Sequence, residues 1–267
     1  MTGPLLQGTG LARAFGGVYA VDGVEVAVAP GSTLGVIGPN GAGKSTLFHL
    51  ISGQLPADRG EIRLAGRRID RLPPHARARL GIAVVFQGAR VFHGMTVAEN
   101  AMVGAHATTG AGFVTAALRL PRHRREEPVI AARAREAVRR VGLAEWADHP
   151  AELLPLGQQR ALQLARALCS EPRLLLLDEP ASGLRAAERE RLAGLIEELR
   201  TEGVTIMLID HDVGLVSRLA DRVTVLELGH VIAEGSPDEV RADPRVVRAY
   251  LGTEPVRDEG AGGRDER

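Results

Sequence analysis

One stretch of the sequence, residues 38–46, constrains the fold more than any other. It follows residues Thr33–Ile37, which have the pattern of a short buried strand, and it precedes Leu47, Leu50 and Ile51 at helical spacing. It fits the pattern G-x-x-x-x-G-K-[ST], whose glycines let successive backbone N–H groups point inward at phosphate oxygens. A glycine-rich turn that only joins strand to helix is the alternative, but the four defining residues and their context favour a phosphate-binding loop. The stretch is Gly38-Pro39-Asn40-Gly41-Ala42-Gly43-Lys44-Ser45-Thr46.

Two residues at the end of this loop carry specific chemistry. Lys44 supplies a mobile positive charge for the β- and γ-phosphates of a nucleotide, and the Ser45 hydroxyl is placed to bind Mg²⁺. The helix that follows would present its positive N-terminal end to the same phosphate oxygens. The sequence therefore predicts a site for a nucleoside triphosphate with Mg²⁺.

A second apparent strand ends in two carboxylates. Residues Leu174–Asp178 are four leucines followed by an aspartate, which is typical of a fully buried parallel strand whose end carries charge. Asp178 is placed to hold Mg²⁺ directly or through water. Glu179 follows it and could orient or deprotonate an attacking water. A helix N-cap carboxylate is the alternative, and the phosphate-binding loop in the same chain favours the catalytic interpretation.

Three further residues are candidates for the same site. Residues 81–87 end on Gln87 at a predicted strand end, where it could reach Mg²⁺ or water, although a loop amide that caps backbone groups explains it equally well. His211 ends another predicted strand, and we interpret it as a γ-phosphate sensor rather than a structural histidine. Phe15 could stack on an adenine ring, but a core or edge phenylalanine fits the sequence at least as well.

The strand patterns predict an α/β fold. Residues 11–29 alternate in a way that is typical of antiparallel strands, and residues 60–66 and 223–227 have the pattern of further strands. Residues from about 96 to 154 show no strand pattern. They therefore predict a helical insertion.

Within this insertion, Thr96 and Glu99 form a capping-box pattern, so we expect a helix to start there. Residues 119–127 form a basic cluster between prolines, which we interpret as a solvated loop. Residues 130–141 have the composition of a helix.

Composition narrows the function classes. The chain has 33 Lys and Arg against 33 Asp and Glu, so its formal net charge is +0, which argues against a nucleic-acid partner. No apolar run is long enough to span a bilayer, and no signal-peptide pattern is present. We therefore expect a cytosolic chain that reaches a membrane only through another protein. Residues 253–267 are rich in Gly, Arg, Glu and Asp, which predicts a disordered tail.

Five motifs in order resemble the ATP-binding cassette (ABC) domain, and the resemblance covers residue 11 to about residue 252. Within that family the chain is most similar to the ATPase subunit of branched-chain amino acid importers. Urea importers and the lipopolysaccharide-export ATPase are close relatives. The motifs are the phosphate-binding loop, Gln87, the signature-like run Leu154-Pro155-Leu156-Gly157-Gln158, the strand from Leu174 to Glu179, and His211.

The resemblance implies a P-loop NTPase (RecA-like) core with an antiparallel β subdomain and an inserted α-helical subdomain. It divides a single domain, residues 1–252, into three parts. The core with its β subdomain would comprise residues 1–87 and 159–235. The helical subdomain with the signature motif would comprise residues 88–158, and a C-terminal helix would span residues 236–252.

The resemblance also implies an assembly. Two ATPase chains would pair head to tail, and each ATP would lie between one chain's phosphate-binding loop and the other chain's signature motif. Membrane permease subunits would dock near Gln87 on the cytoplasmic face of the membrane, and a solute-binding protein would be an indirect partner. The second ATPase is usually a different but similar chain. Phe15 takes the adenine-stacking position by the same resemblance.

The signature-like run departs from the family pattern Leu-Ser-Gly-Gly-Gln. Pro155 has neither a hydroxyl nor an N–H to offer the partner's γ-phosphate, and Leu156 adds a side chain where glycine allows close approach. Losing one charge-assisted hydrogen bond there would cost about 1.5–3 kcal/mol. Arg185 also stands where many members carry Asp. We expect an asymmetric machine if the partner chain differs, unless backbone contacts from Gly157 and the helix end suffice.

Three classes of function compete. The first is the ATP-hydrolysing subunit of an uptake transporter for polar solutes such as branched-chain amino acids. The second is a soluble ABC protein that remodels ribosomes or DNA, but such proteins usually carry two cassettes or long heptad inserts, and this chain has neither pattern. The third is a regulatory binding subunit, against which Lys44, Asp178, Glu179 and His211 argue.

Overall fold

The computed structural model describes residues 3–88, 90–105 and 121–251. The strands form two sheets, one mostly parallel with six strands and one antiparallel with four. Within these residues the strands are β1 (Leu6–Phe15), β2 (Val18–Val28), β3 (Thr33–Ile37), β4 (Arg59–Leu64), β5 (Arg67–Arg68), β6 (Ile82–Val85), β7 (Leu174–Asp178), β8 (Thr205–Ile209), β9 (Arg222–Glu227) and β10 (His230–Gly235).

Helices flank the sheets and make up most of the described residues between β6 and β7. Two short 3₁₀ turns, Ala144–Trp146 and Ala151–Leu153, precede the helix that starts at Leu156. The α-helices within the described ranges are α1 (Lys44–Ser52), α2 (Pro74–Ala78), α3 (Val97–Ala105), α4 (Pro121–Arg140), α5 (Leu156–Cys169), α6 (Ala186–Thr201), α7 (Val213–Leu219), α8 (Pro237–Ala242) and α9 (Pro244–Leu251).

The six-stranded sheet has the order β10-β9-β3-β8-β7-β6. Its strands from β6 to β9 pair in parallel, and β10 adds an antiparallel edge. Every residue of β3, β7 and β8 is buried, as expected for parallel strands covered on both faces. The carboxyl ends of β6, β7, β8 and β3 therefore lie side by side, in that spatial order, along one edge of the sheet.

The four-stranded sheet has the order β2-β1-β4-β5, and all its pairs are antiparallel. Apolar residues on one face of this sheet pack against α1 and against one face of the six-stranded sheet, and together they form a hydrophobic core between the two sheets. Its strand β2 passes next to the loop that follows β3. The α/β fold with an antiparallel sheet is confirmed, whereas the exact boundaries of the predicted subdomains stay a prediction.

The capping box at Thr96 is confirmed. The Thr96 hydroxyl accepts a hydrogen bond from the Glu99 backbone N–H at 3.2 Å, and the Glu99 carboxylate accepts one from the Thr96 N–H at 2.8 Å. Each bond satisfies a backbone donor that the first turn of a helix leaves free. Helix α3 begins at the next residue.

The expected loop over residues 119–127 is wrong where the structure describes it, because α4 begins at Pro121 and continues through Pro128. Residues 119 and 120 lie outside the described residues. A proline fits the first helical position without loss, but one inside a helix costs about 3 kcal/mol. The second half of α4 offsets this cost by burying Ile130, Ala134 and Val138 in the core that α3 and α5 share. Strand β10 was not predicted from the sequence.

A buried arginine fixes the C-terminal end of α1. Arg77 is 1% exposed, and its Nη1 donates to the carbonyl oxygens of Leu50 at 2.6 Å and Ile51 at 2.7 Å. Its other nitrogens donate to the carbonyls of Asp70 and Leu72. Burial lowers the pKa of Arg77 to about 10, but the guanidinium stays charged at neutral pH. This cation faces the negative C-terminal end of α1, and the N-terminal end of the same helix follows the phosphate-binding loop.

We expect Arg77→Met to destabilise the fold by about 2–4 kcal/mol, because four buried carbonyl oxygens would lose their donor. Arg77→Lys should cost clearly less, since it keeps the charge and some of the donors. Urea unfolding of both variants and the parent chain measures the difference. A loss below about 1 kcal/mol for Arg77→Met would show that water replaces the guanidinium.

Candidate active site

The loop between β3 and α1 depends on glycine at two positions. Gly38 has φ +151°, and a Cβ atom built on it would lie 2.1 Å from the carbonyl oxygen of Leu226. Gly43 has φ +105°, and its Cβ atom would lie 2.2 Å from the carbonyl oxygen of Ala20 on β2. Any side chain at either position would therefore displace the loop from the strands that support it.

Lys44 is buried, and its ammonium group is held inside this loop. Its Nζ donates to the carbonyl oxygens of Gly38 at 2.8 Å and Pro39 at 3.0 Å. Burial lowers the pKa of Lys44, and the carboxylates of Glu179 and Asp178 partly offset that shift. The charge predicted from the sequence thus lies at the centre of the curled loop, within reach of an anion bound by the loop.

The start of α1 provides backbone donors and two hydroxyls. Gly43 is the N-cap, and no side chain among the described residues accepts a hydrogen bond from this helix start. Ser45 is exposed and Thr46 is half-buried, so both hydroxyls are accessible. Uncapped N–H groups and the positive end of a helix bind phosphate oxygens. The rest of the loop, Pro39, Asn40, Gly41 and Ala42, completes the concave backbone.

Two buried carboxylates end adjacent strands beside Lys44. Asp178 ends β7, and burial together with the nearby carboxylates of Glu179 and Asp210 raises its pKa to about 6. Asp210 follows β8 and is 1% exposed, and burial also raises its pKa. One of its carboxylate oxygens accepts from the Asp212 N–H at 3.0 Å, and the other has no hydrogen-bond partner among the described residues.

Sequence reasoning missed Asp210. The signal was available, because Asp210 follows a buried strand in the same way that Asp178 ends one.

Glu179, Gln87 and His211 meet at the carboxyl ends of β7, β6 and β8. The Gln87 Nε2 donates to the Glu179 carboxylate at 2.6 Å, and the His211 Nδ1 lies 3.6 Å from the same oxygen. Glu179 has φ +45°, a left-handed conformation that is strained for a glutamate. Its N–H donates to the carbonyl oxygen of Ile209, which ties this strained residue to β8. The three predicted strand-end residues are therefore brought together.

The oxygen donors fit a hard cation. Ser45, Gln87 and Asp178 can offer hydroxyl, amide and carboxylate oxygens, which are the ligands that Mg²⁺ uses beside nucleotide phosphates. In the described ranges no group of three His, Cys, Asp or Glu could hold a metal by itself.

Phe15 lies at the rim of this site. It ends β1 and pairs with Val18 across the two-residue turn Gly16–Gly17. Two residues beyond Val18, the carbonyl of Ala20 supports Gly43. The ring is 47% exposed, so it is not a core phenylalanine.

The signature-like run is separate from the loop of its own chain. Pro155 is the N-cap of α5, and Leu156 is 59% exposed in its first turn. Gly157 and Gln158 line a cleft of about 270 Å³ together with Gln87 and Glu179, and none of residues 38–46 lines it. The structure thus groups the site residues into two sets, one around the phosphate-binding loop and one around this cleft.

Helix α5 also fixes the segment that follows Gln87, through residues that the sequence analysis did not single out. The Gln163 amide donates to the Gly88 carbonyl, and Arg166 donates to the Arg90 carbonyl at 3.0 Å. Arg166 also donates to the side chain of the fully buried Asn100 at 2.8 Å. No local pattern marks these contacts, because each joins residues more than 60 positions apart.

Comparison with known proteins identifies the class. A family model described as ABC transporter matches residues 21–182, and one described as branched-chain amino acid ATP-binding cassette transporter matches residues 230–256. The first match covers more than half of the chain. The chain belongs to the ABC transporter family and is an ATP-hydrolysing subunit of that family.

Relatives of known name support this. The chain is 41% identical to the high-affinity branched-chain amino acid transport ATP-binding protein BraF of Pseudomonas aeruginosa and 40% identical to LivG of Escherichia coli K12, each over 94% of this chain and 99% of the relative. It is 34% identical to the lipopolysaccharide export system ATP-binding protein LptB of Escherichia coli K12, over 92% of this chain and 97% of that protein.

A solved structure agrees in fold. The ADP conformation of MJ1267, an ATP-binding cassette of an ABC transporter, superposes with a TM-score of 0.80 and 29% identity, covering 94% of this chain and all of that one. Among the residues that the model describes, no helix is both long and apolar enough to cross a membrane.

Without nucleotide, Asp178→Asn should stabilise the fold by about 1–3 kcal/mol at neutral pH. The folded-state pKa of Asp178 is raised to about 6, so its ionisation opposes folding as pH rises from the unfolded-state pKa through that value. The gain should vanish below about pH 4, where the carboxyl is protonated in both states. Urea unfolding at several pH values measures it.

Asp243 provides a control of opposite sign. Hydrogen bonds from the Arg245 side chain and backbone lower its pKa to about 2. Asp243→Asn should therefore lose stability at neutral pH relative to acid. If the free energy of unfolding changed with pH in the same direction for Asp178→Asn and Asp243→Asn, burial of Asp178 would not explain the stabilisation expected for Asp178→Asn.

Proposed function

We propose that this chain powers the uptake of branched-chain amino acids, or of similar polar solutes, through a membrane permease at the inner face of the cell membrane. The observation that carries the proposal is the near full-length similarity to BraF and LivG, both described as branched-chain amino acid transport ATP-binding proteins. The match of residues 230–256 to the corresponding family model supports the same subfamily.

In the proposed reaction, the loop from Gly38 to Thr46 binds the phosphates of ATP, and Lys44 contacts the β- and γ-phosphates. Mg²⁺, held by Ser45, Gln87 and Asp178, would neutralise phosphate charge when bound. Glu179 orients the attacking water and accepts its proton. Its hydrogen bond to Gln87 positions its carboxylate.

His211 lies on the other side of Glu179 and is the candidate contact to the γ-phosphate. Its side chain is 59% exposed, so it is free to approach a bound nucleotide. Phe15 would stack on the adenine. These roles are supported by the convergence of four strand ends at one edge of the sheet.

We propose that each bound ATP is also contacted by the signature-like turn of a partner chain. The signature-like turn exposes Leu156 and carries Pro155, Gly157 and Gln158 away from the phosphate-binding loop of the same chain. A head-to-tail pair of ATPase chains would bring each turn over the partner's ATP. Leu153, which is 70% exposed, would be covered by the same contact.

The proposed permease contact lies next to Gln87. Phe92, His93 and Met95 are exposed there, while Asn100 holds the backbone of Phe92 from both sides, at 2.8 Å and 3.0 Å. A fixed backbone that presents apolar side chains suits docking of a cytoplasmic permease segment. A solute-binding protein would act on the permease from the opposite side of the membrane.

The similarity to LptB favours lipopolysaccharide export as the second candidate. Its lower identity places it behind amino-acid uptake. Both candidates share the ATPase chemistry and differ in the membrane subunits that bind the chain.

A tagged Glu179→Gln chain should bind ATP and hydrolyse it at least about a hundredfold more slowly, because it loses the base at the attacking water. Purified with ATP and Mg²⁺ from gently solubilised cells, it should retain polytopic membrane subunits and a second, related ATPase. Mass spectrometry identifies them, and transport assays with that permease then identify the solute.

Lys44→Met is the matched control, since it removes phosphate binding and should lose the nucleotide-dependent part of this recovery. Recovery of ribosomes or DNA-repair factors without membrane subunits would overturn the transporter proposal. Recovery of lipopolysaccharide-export subunits would replace amino-acid uptake by the second candidate.

We further propose that, when the partner is a different chain, the assembled ATPase is asymmetric, because Pro155 offers the partner's γ-phosphate neither a hydroxyl nor an N–H. Pro155→Ser restores one charge-assisted hydrogen bond, worth about 1.5–3 kcal/mol, at the impaired site. Total ATP turnover of the assembled complex should therefore rise up to about twofold, because two sites would hydrolyse instead of one. Val129→Ser changes an exposed apolar position on α4, outside the signature-like run, and should not raise it. Unchanged turnover for Pro155→Ser would show that backbone contacts from Gly157 and the helix end suffice.

A further inference from the structure

An arginine covers one face of the Phe15 ring. The Arg13 guanidinium carbon lies 5.1 Å from the ring centroid, a distance typical of a cation–π contact. The ring as a whole is 47% exposed. Phe15 is therefore an exposed aromatic that is held on one side by a cation and accessible elsewhere.

Asp58 fixes that arginine and the strand that carries it. Its carboxylate accepts from the Arg13 Nη1 at 2.7 Å and from the Ala14 N–H at 2.8 Å. Its own N–H donates to the carbonyl oxygen of Ala12 at 2.9 Å. The hydrogen bond from Ala14 and the charge of Arg13 lower the pKa of Asp58, so the carboxylate stays ionised at neutral pH. The end of β1 is thus bound to Asp58 at three consecutive residues.

The hairpin turn brings this arrangement close to the phosphate-binding loop. Gly16 and Gly17 have φ +56° and +86°, the two positive angles of a type I′ turn, which fix Phe15 opposite Val18. Ala20, about 7 Å further along β2, contacts Gly43 of the loop. A nucleotide whose phosphates fill the loop would therefore have its base within reach of the Phe15 ring.

We propose that Arg13, anchored by Asp58, is a positioning residue that holds the Phe15 ring ready to stack on the base of the bound nucleotide. The inference rests on the proposed function in one respect, namely that Phe15 contacts the adenine. A ring that is already fixed loses less conformational freedom when the base binds. Arg13 itself contacts the ring and not the nucleotide, so its effect is confined to ligands that have a base.

Inorganic tripolyphosphate has phosphates but no base, so comparing it with ATP tests the role of Arg13. Arg13→Gln should weaken equilibrium binding of ATP roughly three- to tenfold and leave binding of tripolyphosphate unchanged. Arg13→Lys keeps the charge but not the planar group, and it should lie between the parent chain and Arg13→Gln. Fluorescence titration or calorimetry measures both ligands, and thermal unfolding establishes that each variant is folded.

The same hairpin offers a matched control on its other face. The Arg59 guanidinium carbon lies 5.3 Å from the Tyr19 ring centroid, and Arg59 pairs with Asp22 at 3.3 Å. Tyr19 follows Val18, so its side chain lies on the face opposite to Phe15. Arg59→Gln removes the same charge and the same kind of contact and should change neither affinity.

Three outcomes would overturn the inference. They are unchanged ATP affinity in Arg13→Gln, an equal loss for ATP and tripolyphosphate, or the same loss of ATP affinity in Arg59→Gln. Phe15→Ala separates this inference from the proposed function. If it weakens ATP binding selectively while Arg13→Gln does not, only the role of Arg13 fails. If neither variant affects ATP, the assignment of Phe15 to the adenine fails as well.

Discussion

Lys44, Asp178 and Asp210 place one cation and two carboxylates in a buried edge of the six-stranded sheet. Burial disfavours each charge, lowering the pKa of Lys44 and raising the pKa of both carboxyl groups. The attraction between Lys44 and the carboxylates offsets only part of that cost, the two carboxylates repel each other, and well-packed apolar residues would stabilise the fold at least as well. The charges are therefore explained by what binds beside them, since a phosphate group and a divalent cation would each find an opposite charge there.

The topology of the sheet is what assembles these charges. Strands β6, β7, β8 and β3 are neighbours in space, although β3 comes first in sequence. Because they run in parallel, Gln87, Glu179, His211 and the phosphate-binding loop all emerge at the same edge. Helix α1 leaves that edge with its positive end at the loop, and Arg77 stabilises its far end. Rearranging the order of the strands would separate the water-activating group from the phosphates.

The sequence predicted the part of the site that is encoded locally. Lys44 and Asp178 were identified because a glycine-rich loop or a run of buried leucines adjoins each of them. Arg77 and Arg166 were not identified. Most of their partners are backbone carbonyl oxygens, which every residue carries, and no local pattern marks which carbonyls they bind. The helix through Pro128 was missed for a related reason, since packing of its second half outweighs a local breaker.

The contacts of helix α5 explain how a force applied outside the site could reach it. Gln163 and Arg166 bind the backbone on the carboxyl side of Gln87, and the same helix begins with the signature-like turn. Gln87 itself is hydrogen-bonded to Glu179. A displacement of the segment after Gln87 must therefore either move α5 with it or break the hydrogen bonds that Gln163 and Arg166 make to that segment. In the proposed transporter, a permease that presses on Phe92 would shift α5 and the signature-like turn at its start, which faces the partner's ATP. The same movement would strain the hydrogen bond between Gln87 and Glu179.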